Sequence, residues 1–265
     1  MNDDALAPVV GMMLILAIVV TLFSLWNVVY LPGLKQQAEV EHLQQVEEGM
    51  TRIDAAIEDA MYYRHNGSLS VPIPLGGGDI MLNNLRSGGE LRIEKIPATT
   101  IKLDGADFDL FLSNITYTPV SNFWIPQGYS WQYGYVNVTK GALKSTELML
   151  KSQVQEKKFA EYLFNSENDG DVIITCVNIM PGTRNVTSGN GIATLNLDVT
   201  KTSLPPVSDI EVTLNGNLPP EFRNFLYDAI NTSLNASYES YSPPLNYRYN
   251  PPVTIERIDI VLSVE

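Results

Sequence analysis

From Ala5 to Leu34 the chain runs for thirty residues without a charged side chain. At about 1.5 Å per helical residue, such a run is longer than the ~30 Å hydrocarbon core of a bilayer. Its aliphatic side chains leave no face for water, so whatever follows is expected to be tethered through it. A secretory signal would show a basic start, a short apolar core and a small-residue cleavage site. Here the start is Asp3-Asp4, the core is long and no A-x-A site follows it, which favours an anchor. Pro8 fits a first helical turn and not an interior, so regular helix is expected from near there. Trp26 and Tyr30 stand near the far end, where amphipathic rings favour a membrane interface. The rest of the 265 residues suffices for one large domain or two small ones.

Acidic residues outnumber basic ones 30 to 17, a net charge of -13. Phosphate backbones are bound by Lys and Arg, so nucleic acid is not an expected partner. The single cysteine, Cys176, allows no intramolecular disulfide, and its setting VIITCVNI reads as a buried strand thiol. Six N-x-S/T acceptors occur, at Asn66, Asn114, Asn137, Asn185, Asn231 and Asn235. That exceeds the roughly two to three that chance would place, and all lie after the apolar run, as expected for a glycosylated body outside the cell.

The string DDALAPVVGMMLILAIVV, with Ala5, Leu6, Ala7, Pro8, Val9, Val10 and Gly11 at the matching positions, resembles the archaeal type IV pilin N-terminal domain. That pattern places a charged residue or two before A-V-S-P-V-V/I-G and a long aliphatic helix. The resemblance implies a leader of residues 1–4 cut by a membrane peptidase between Asp4 and Ala5, and a helix held in membrane lipid or packed with other subunits in a filament core. Ala7 stands where the family has Ser, and Asp3-Asp4 where it has a base. The layout of helix, QQAEVEHLQQVEEGM and β-rich remainder is also similar to large pilin-like surface proteins of archaea.

After Pro32-Gly33, a kink or short break in this reading, residues 35–65 form an acidic amphipathic stalk. Leu43, Val46, Met50, Ile53, Ile57 and Ala60 recur at spacings of three and four and make one narrow apolar stripe. Glu39, Glu41, Glu47, Glu48, Arg52, Asp54, Glu58 and Asp59 fill the other faces, which are expected to be solvated. The stripe either docks on this chain's own body or forms a coiled-coil seam with neighbours, and fewer than four heptads favour docking.

Beyond Asn66-Gly67 the period changes to two. Phe108-Leu110-Leu112, Tyr129-Trp131-Tyr133-Tyr135, Leu195-Leu197-Val199, Ile210-Val212-Leu214 and Ile258-Ile260-Leu262-Val264 read as half-buried antiparallel strands. Asp104-Gly105, Asp169-Gly170, Asn190-Gly191 and Asn215-Gly216 punctuate them. Residues Pro219 to Leu234 read as a short amphipathic helix capping one end, and Ser237 to Pro252 as an irregular connection. The expected class is α+β: a long apolar helix, an acidic helical continuation, and a mainly antiparallel β-sandwich. Its two β-rich parts, 66–165 and 166–265, meet near Asn165–Gly170 and are compatible with one sandwich.

For chemistry the inventory is thin. The histidines are His42 and His65, both on or at the end of the stalk, and no G-x-S-x-G, H-E-x-x-H or paired-cysteine motif occurs. Gly76-Gly77-Gly78 with Asp79 lacks a following G-K-[ST] and reads as a loop. The acidic groups Asp104, Asp107, Asp109 and Glu167, Asp169, Asp171 do not continue to the Glu of a calcium loop. No catalytic residue, cofactor or metal is expected. In the aromatic group from Tyr117 to Tyr135 the alternating rings read as core, leaving Phe123 and Trp124 as the candidate contact for a surface ligand. The sequence therefore points to a non-enzymatic surface protein, polymerising through its helix or standing alone as a single-pass anchored binding protein.

Overall fold

The computed structural model describes residues 6–77, 87–104, 106–121, 126–140, 144–146, 153–169, 171–234 and 245–265. Asp4, Ala5, Gly78, Asp79, Phe123, Trp124, Asn235, residues 237–244 and the turn glycines Gly105 and Gly170 lie outside them. The α+β class is the one observed. Helix α1 (Leu6–Leu25) passes through a π-helical turn (Trp26–Tyr30) straight into α2 (Leu31–Tyr63). Pro8, third in α1, sits where a missing N–H would have no intrahelical acceptor in any case. The expected break at Pro32-Gly33 is absent. Pro32 cannot donate and its ring crowds the carbonyl four residues back; the turn widens just before it, with Leu31 N–H donating to the Trp26 carbonyl. Strain is absorbed by one π turn and the helix stays continuous.

Among the described residues twelve strands follow: β1 (Gly67–Pro74), β2 (Gly88–Leu103), β3 (Ala106–Ser121), β4 (Gln127–Gln132), β5 (Tyr135–Lys140), β6 (Lys144–Thr146), β7 (Phe164–Asp169), β8 (Asp171–Pro181), β9 (Val186–Gly189), β10 (Ile192–Ser203), β11 (Val207–Leu214) and β12 (Leu245–Val264), with α3 (Gln153–Leu163) before β7 and α4 (Pro220–Ser233) before β12. They form two ladders joined by β12. One runs β1-β10-β12-β8-β7, the other β11-β2-β3-β4-β5-β6 with β9 on β2. The start of β12 pairs with β11, and its end pairs with β10 and β8. The second half of the stretch read as irregular is thus strand. Its Pro251-Pro252 falls between the two pairings, where the register against β11 shifts and no ladder donor is needed. The β8–β12 pair is parallel, the one departure from antiparallel pairing among the described strands.

The ladders meet again where β8 passes β3. Ser113 Oγ donates to the Ile179 carbonyl at 3.0 Å, and Phe111 N–H to Asn178 Oδ1 at 2.8 Å. The two β-rich parts are one hydrogen-bonded body, since β1 pairs with β10, and β2 with both β9 and β11. Cys176 is buried, as its neighbours indicated.

The alternation Tyr129 to Tyr135 is not one strand. It is the β4–β5 hairpin, turning at Tyr133 (φ 54°) and Gly134 (φ 79°). Two consecutive positive φ values make the tight turn whose twist matches flanking strands, and because it uses two residues it preserves the apolar alternation that disguised it. Helix α4 appears where expected and packs on α3, which sequence reading missed. Phe159 of α3 and Phe222 of α4 lie 6.1 Å apart, and Phe222 stacks on Tyr133 at 4.4 Å.

Gly134 tests this corner, because a Cβ there would come within 2.8 Å of Phe159 Cβ on an unfavourable backbone. Gly134→Ala is expected to cost about 1–3 kcal/mol in denaturant unfolding. Gly191→Ala, with open space around its Cβ, is expected to stay within about 0.5 kcal/mol of the parent.

Candidate functional site

The candidate functional feature of this molecule is a helix that changes surroundings partway along. Over its first half, seventeen large apolar side chains from Val9 to Tyr30 are exposed, with Met12 at 77% and Val28 at 75%. They lie on every face, as on a helix meant for lipid or for other helices and not for water. Two of the polar side chains there close on the helix itself. Thr21 Oγ1 donates to the Ile18 carbonyl at 2.8 Å and Asn27 Nδ2 to the Phe23 carbonyl at 3.0 Å, which spares these two donors a solvent partner. Trp26 and Tyr30 stack at 4.5 Å between ring centroids at the far end of the run. The helix is long and apolar enough to cross a membrane. Pro8, Val9, Val10 and Gly11 all sit on this exposed portion, and nothing stands within 4 Å of a Cβ built on Gly11.

The second half is seated in the β body. Leu43, Val46, Met50, Ile53, Ile57 and Ala60 are all buried, so the stripe docks on its own chain. Gly49 lets the helix approach β1, its Cβ position lying 3.4 Å from Ile73. Alongside the apolar stripe, three fully buried aromatic residues of β3 and β4 fix the helix with polar atoms. Tyr117 Oη lies 3.0 Å from His42 Nε2 and donates to the Leu75 carbonyl at 3.1 Å. Tyr129 Oη lies 3.1 Å from the Leu43 carbonyl and 3.3 Å from Glu47 Oε2, and accepts from Gln127. Trp131 Nε1 donates to Asp54 Oδ1 at 2.7 Å. From His42 to Asp54 these contacts span about 18 Å of helix, which fixes its register as well as its attachment.

Burial sets the protonation of these groups. It raises the Tyr117 and Tyr129 hydroxyls, the latter to about 12, so both remain donors. It lowers His42, keeping the ring neutral, and the bonds close when His42 carries its proton on Nε2 and Tyr117 passes its own to Leu75. It raises Asp54, partly offset by the Trp131 bond. Glu39 and Asp54, read as solvated from sequence, are therefore not: Glu39 is 2% exposed and Asp54 is partly buried. The signal was present, since Glu39 and His42 continue the stripe toward the N-terminus at a spacing of three. A polar identity hid their side of the helix.

The candidate glycosylation asparagines divide by burial. Asn66 and Asn185 are exposed, and Asn66 Oδ1 accepts from Lys201 N–H at 2.7 Å, leaving Nδ2 as the free end of the amide. Asn231 is half-buried and accepts from Tyr247. Asn137 is buried at 8% and Asn114 is half-buried, each with its Oδ1 enclosed. Among the described residues no group of three or more His, Cys, Asp or Glu side chains is placed to hold a metal ion. Asp104 serves the backbone, accepting from the Ser208 and Asp209 N–H groups. No protein-family model, curated protein or solved structure matches this chain.

Asp54 separates the two ingredients of the seat. Its raised pKa means that the folded chain, between the ordinary carboxylate range and the raised value, holds a proton which the unfolded chain releases. Charge at this position therefore opposes folding as pH rises through that window. Asp54→Asn keeps an acceptor for Trp131 and is expected to melt at or above the parent temperature at pH 7. Asp54→Ala leaves the indole N–H buried without a partner and is expected to cost about 1–3 kcal/mol. Equal losses in both variants would contradict the assignment.

Proposed function

We propose that this chain is a type IV pilin-like surface subunit, non-enzymatic, whose apolar helix is packed with the helices of other copies in a filament core while the β body is displayed outside. The observation that carries the reading is the helix itself. One unbroken rod is exposed and apolar on all sides along one half and locked into a β body along the other. Burying its seventeen apolar side chains against neighbours stabilises an assembly by on the order of 1.5 kcal/mol or more for each one fully covered. Small residues favour close helix approach, and Gly11 and Ala17 supply them. The match of Ala5 to Gly11 with the pilin pattern and the exposed N-x-S/T sites at Asn66 and Asn185 support the same reading.

A second reading keeps the helix in the bilayer as the single-pass anchor of a non-polymerising glycosylated protein. It is favoured by the Trp26–Tyr30 pair, whose position suits a membrane interface. Mass spectrometry of the native N-terminus, combined with shearing of cells, distinguishes the two. A chain beginning at Ala5 in the sheared filaments is expected; an intact Met1 found only in detergent extracts would overturn the filament reading.

A further inference from the structure

The distal end of the long helix carries a feature that neither assembly nor anchoring uses. Tyr62 and Tyr63 close α2, each 61% exposed, with rings packed edge to face at 5.1 Å. Tyr162 of α3 meets Tyr62 at 6.2 Å, and Lys158 Nζ stands 5.3 Å from the Tyr162 ring while pairing with Glu58. Beside this platform opens a notch of about 100 Å³ between α2, α3 and the β4–β5 turn. Asp54, Glu58, Gln155 and Lys158 supply its polar atoms, Tyr162 its open aromatic wall, and the buried Trp131 and Phe159 rings its back.

We propose that this notch and platform bind a saccharide, one ring entering the notch and a neighbouring ring lying on the exposed tyrosines. A water needs roughly 10–15 Å³ of such space, so the notch holds several waters or one sugar ring. A sugar presents an apolar C–H face and a rim of hydroxyls. Aromatic rings with planar carboxylate and amide groups at their margin match that division. A simple anion is disfavoured by Asp54 and Glu58, and a simple cation by the Lys158 ammonium already paired there. A purely apolar ligand would strip four polar side chains of water without replacing it. The notch lies about 28 residues of helix, roughly 40 Å, beyond Tyr30, which places it at the end of the body remote from the apolar run. Binding there is independent of whether that run sits in a filament or a bilayer, so its failure leaves the assembly reading untouched.

The test uses the full chain in a detergent without a sugar headgroup. Methyl glycosides of glucose, galactose and mannose, N-acetylglucosamine, and their disaccharides are titrated singly, read by tryptophan emission and by saturation-transfer NMR. So small a ligand is expected to bind with a Kd on the order of millimolar, so titration continues well above that. Saturable binding of at least one sugar is expected, weakened about threefold or more by both Tyr62→Ala and Glu58→Gln. Both residues are substantially solvent-exposed, so the variants are expected to melt with the parent. Absence of binding across the panel, or binding that either variant leaves within that factor, overturns the proposal. Should Tyr62→Ala lower the melting temperature, Glu58→Gln decides alone.

Discussion

The seating of α2 on the aromatic strands is the interaction on which the rest of the molecule depends. From Pro8 to Tyr63 the helix runs for 56 residues, about 84 Å, far more than a body of this size can bury, and only its second half finds partners within the chain. The helix is continuous through the π turn at Trp26–Tyr30. A force on the apolar half is therefore carried to Leu43, Val46 and Met50 and from there into the sheet. Tyr117, Tyr129 and Trp131 give that joint its direction. Apolar burial alone would tolerate a slide by one turn, whereas three buried donors and acceptors would each lose a partner.

The body is built to receive this helix. The β4–β5 hairpin turns through Tyr133 and Gly134, bringing Trp131 under α2 and Tyr133 onto Phe222 of α4. Helix α3 then lies beside α2, with Lys158 pairing Glu58 and Phe159 edge-on to Trp131 at 5.8 Å. The corner that anchors the stalk thus also shapes the notch. On the far side, Asn178 links β8 to β3 and donates to buried Asp259, which Arg257 pairs at 2.8 Å, so the ladder junction is tied by a satisfied polar network.

Much of this was legible in the chain. The apolar run, the stripe from Leu43 to Ala60, the helix at Pro219 and most period-two segments reflect patterns that burial imposes locally. What escaped reading depends on contacts made across the sequence. Glu39, His42 and Asp54 look like a solvated helix face until strands some 75 residues away supply an enclosure and partners. Tyr133-Gly134 lacks the Asn-Gly signature of its turn, and its two residues keep alternation in phase. Helix α3 hid its Phe159-Ala160-Leu163 spacing among Lys and Glu. Pro32 was expected to break the helix, and a single widened turn relieved it instead.

The central claim is that one helix serves two surroundings, divided just after Tyr30. It is tested most directly by sedimentation of a chain that starts at Lys35, in buffer without detergent, beside the full-length protein. The account predicts a folded monomer for the shortened chain, and large assemblies or insolubility for the full one. A shortened chain that aggregates or loses its cooperative melt, or a full-length chain that sediments as a monomer, would contradict it.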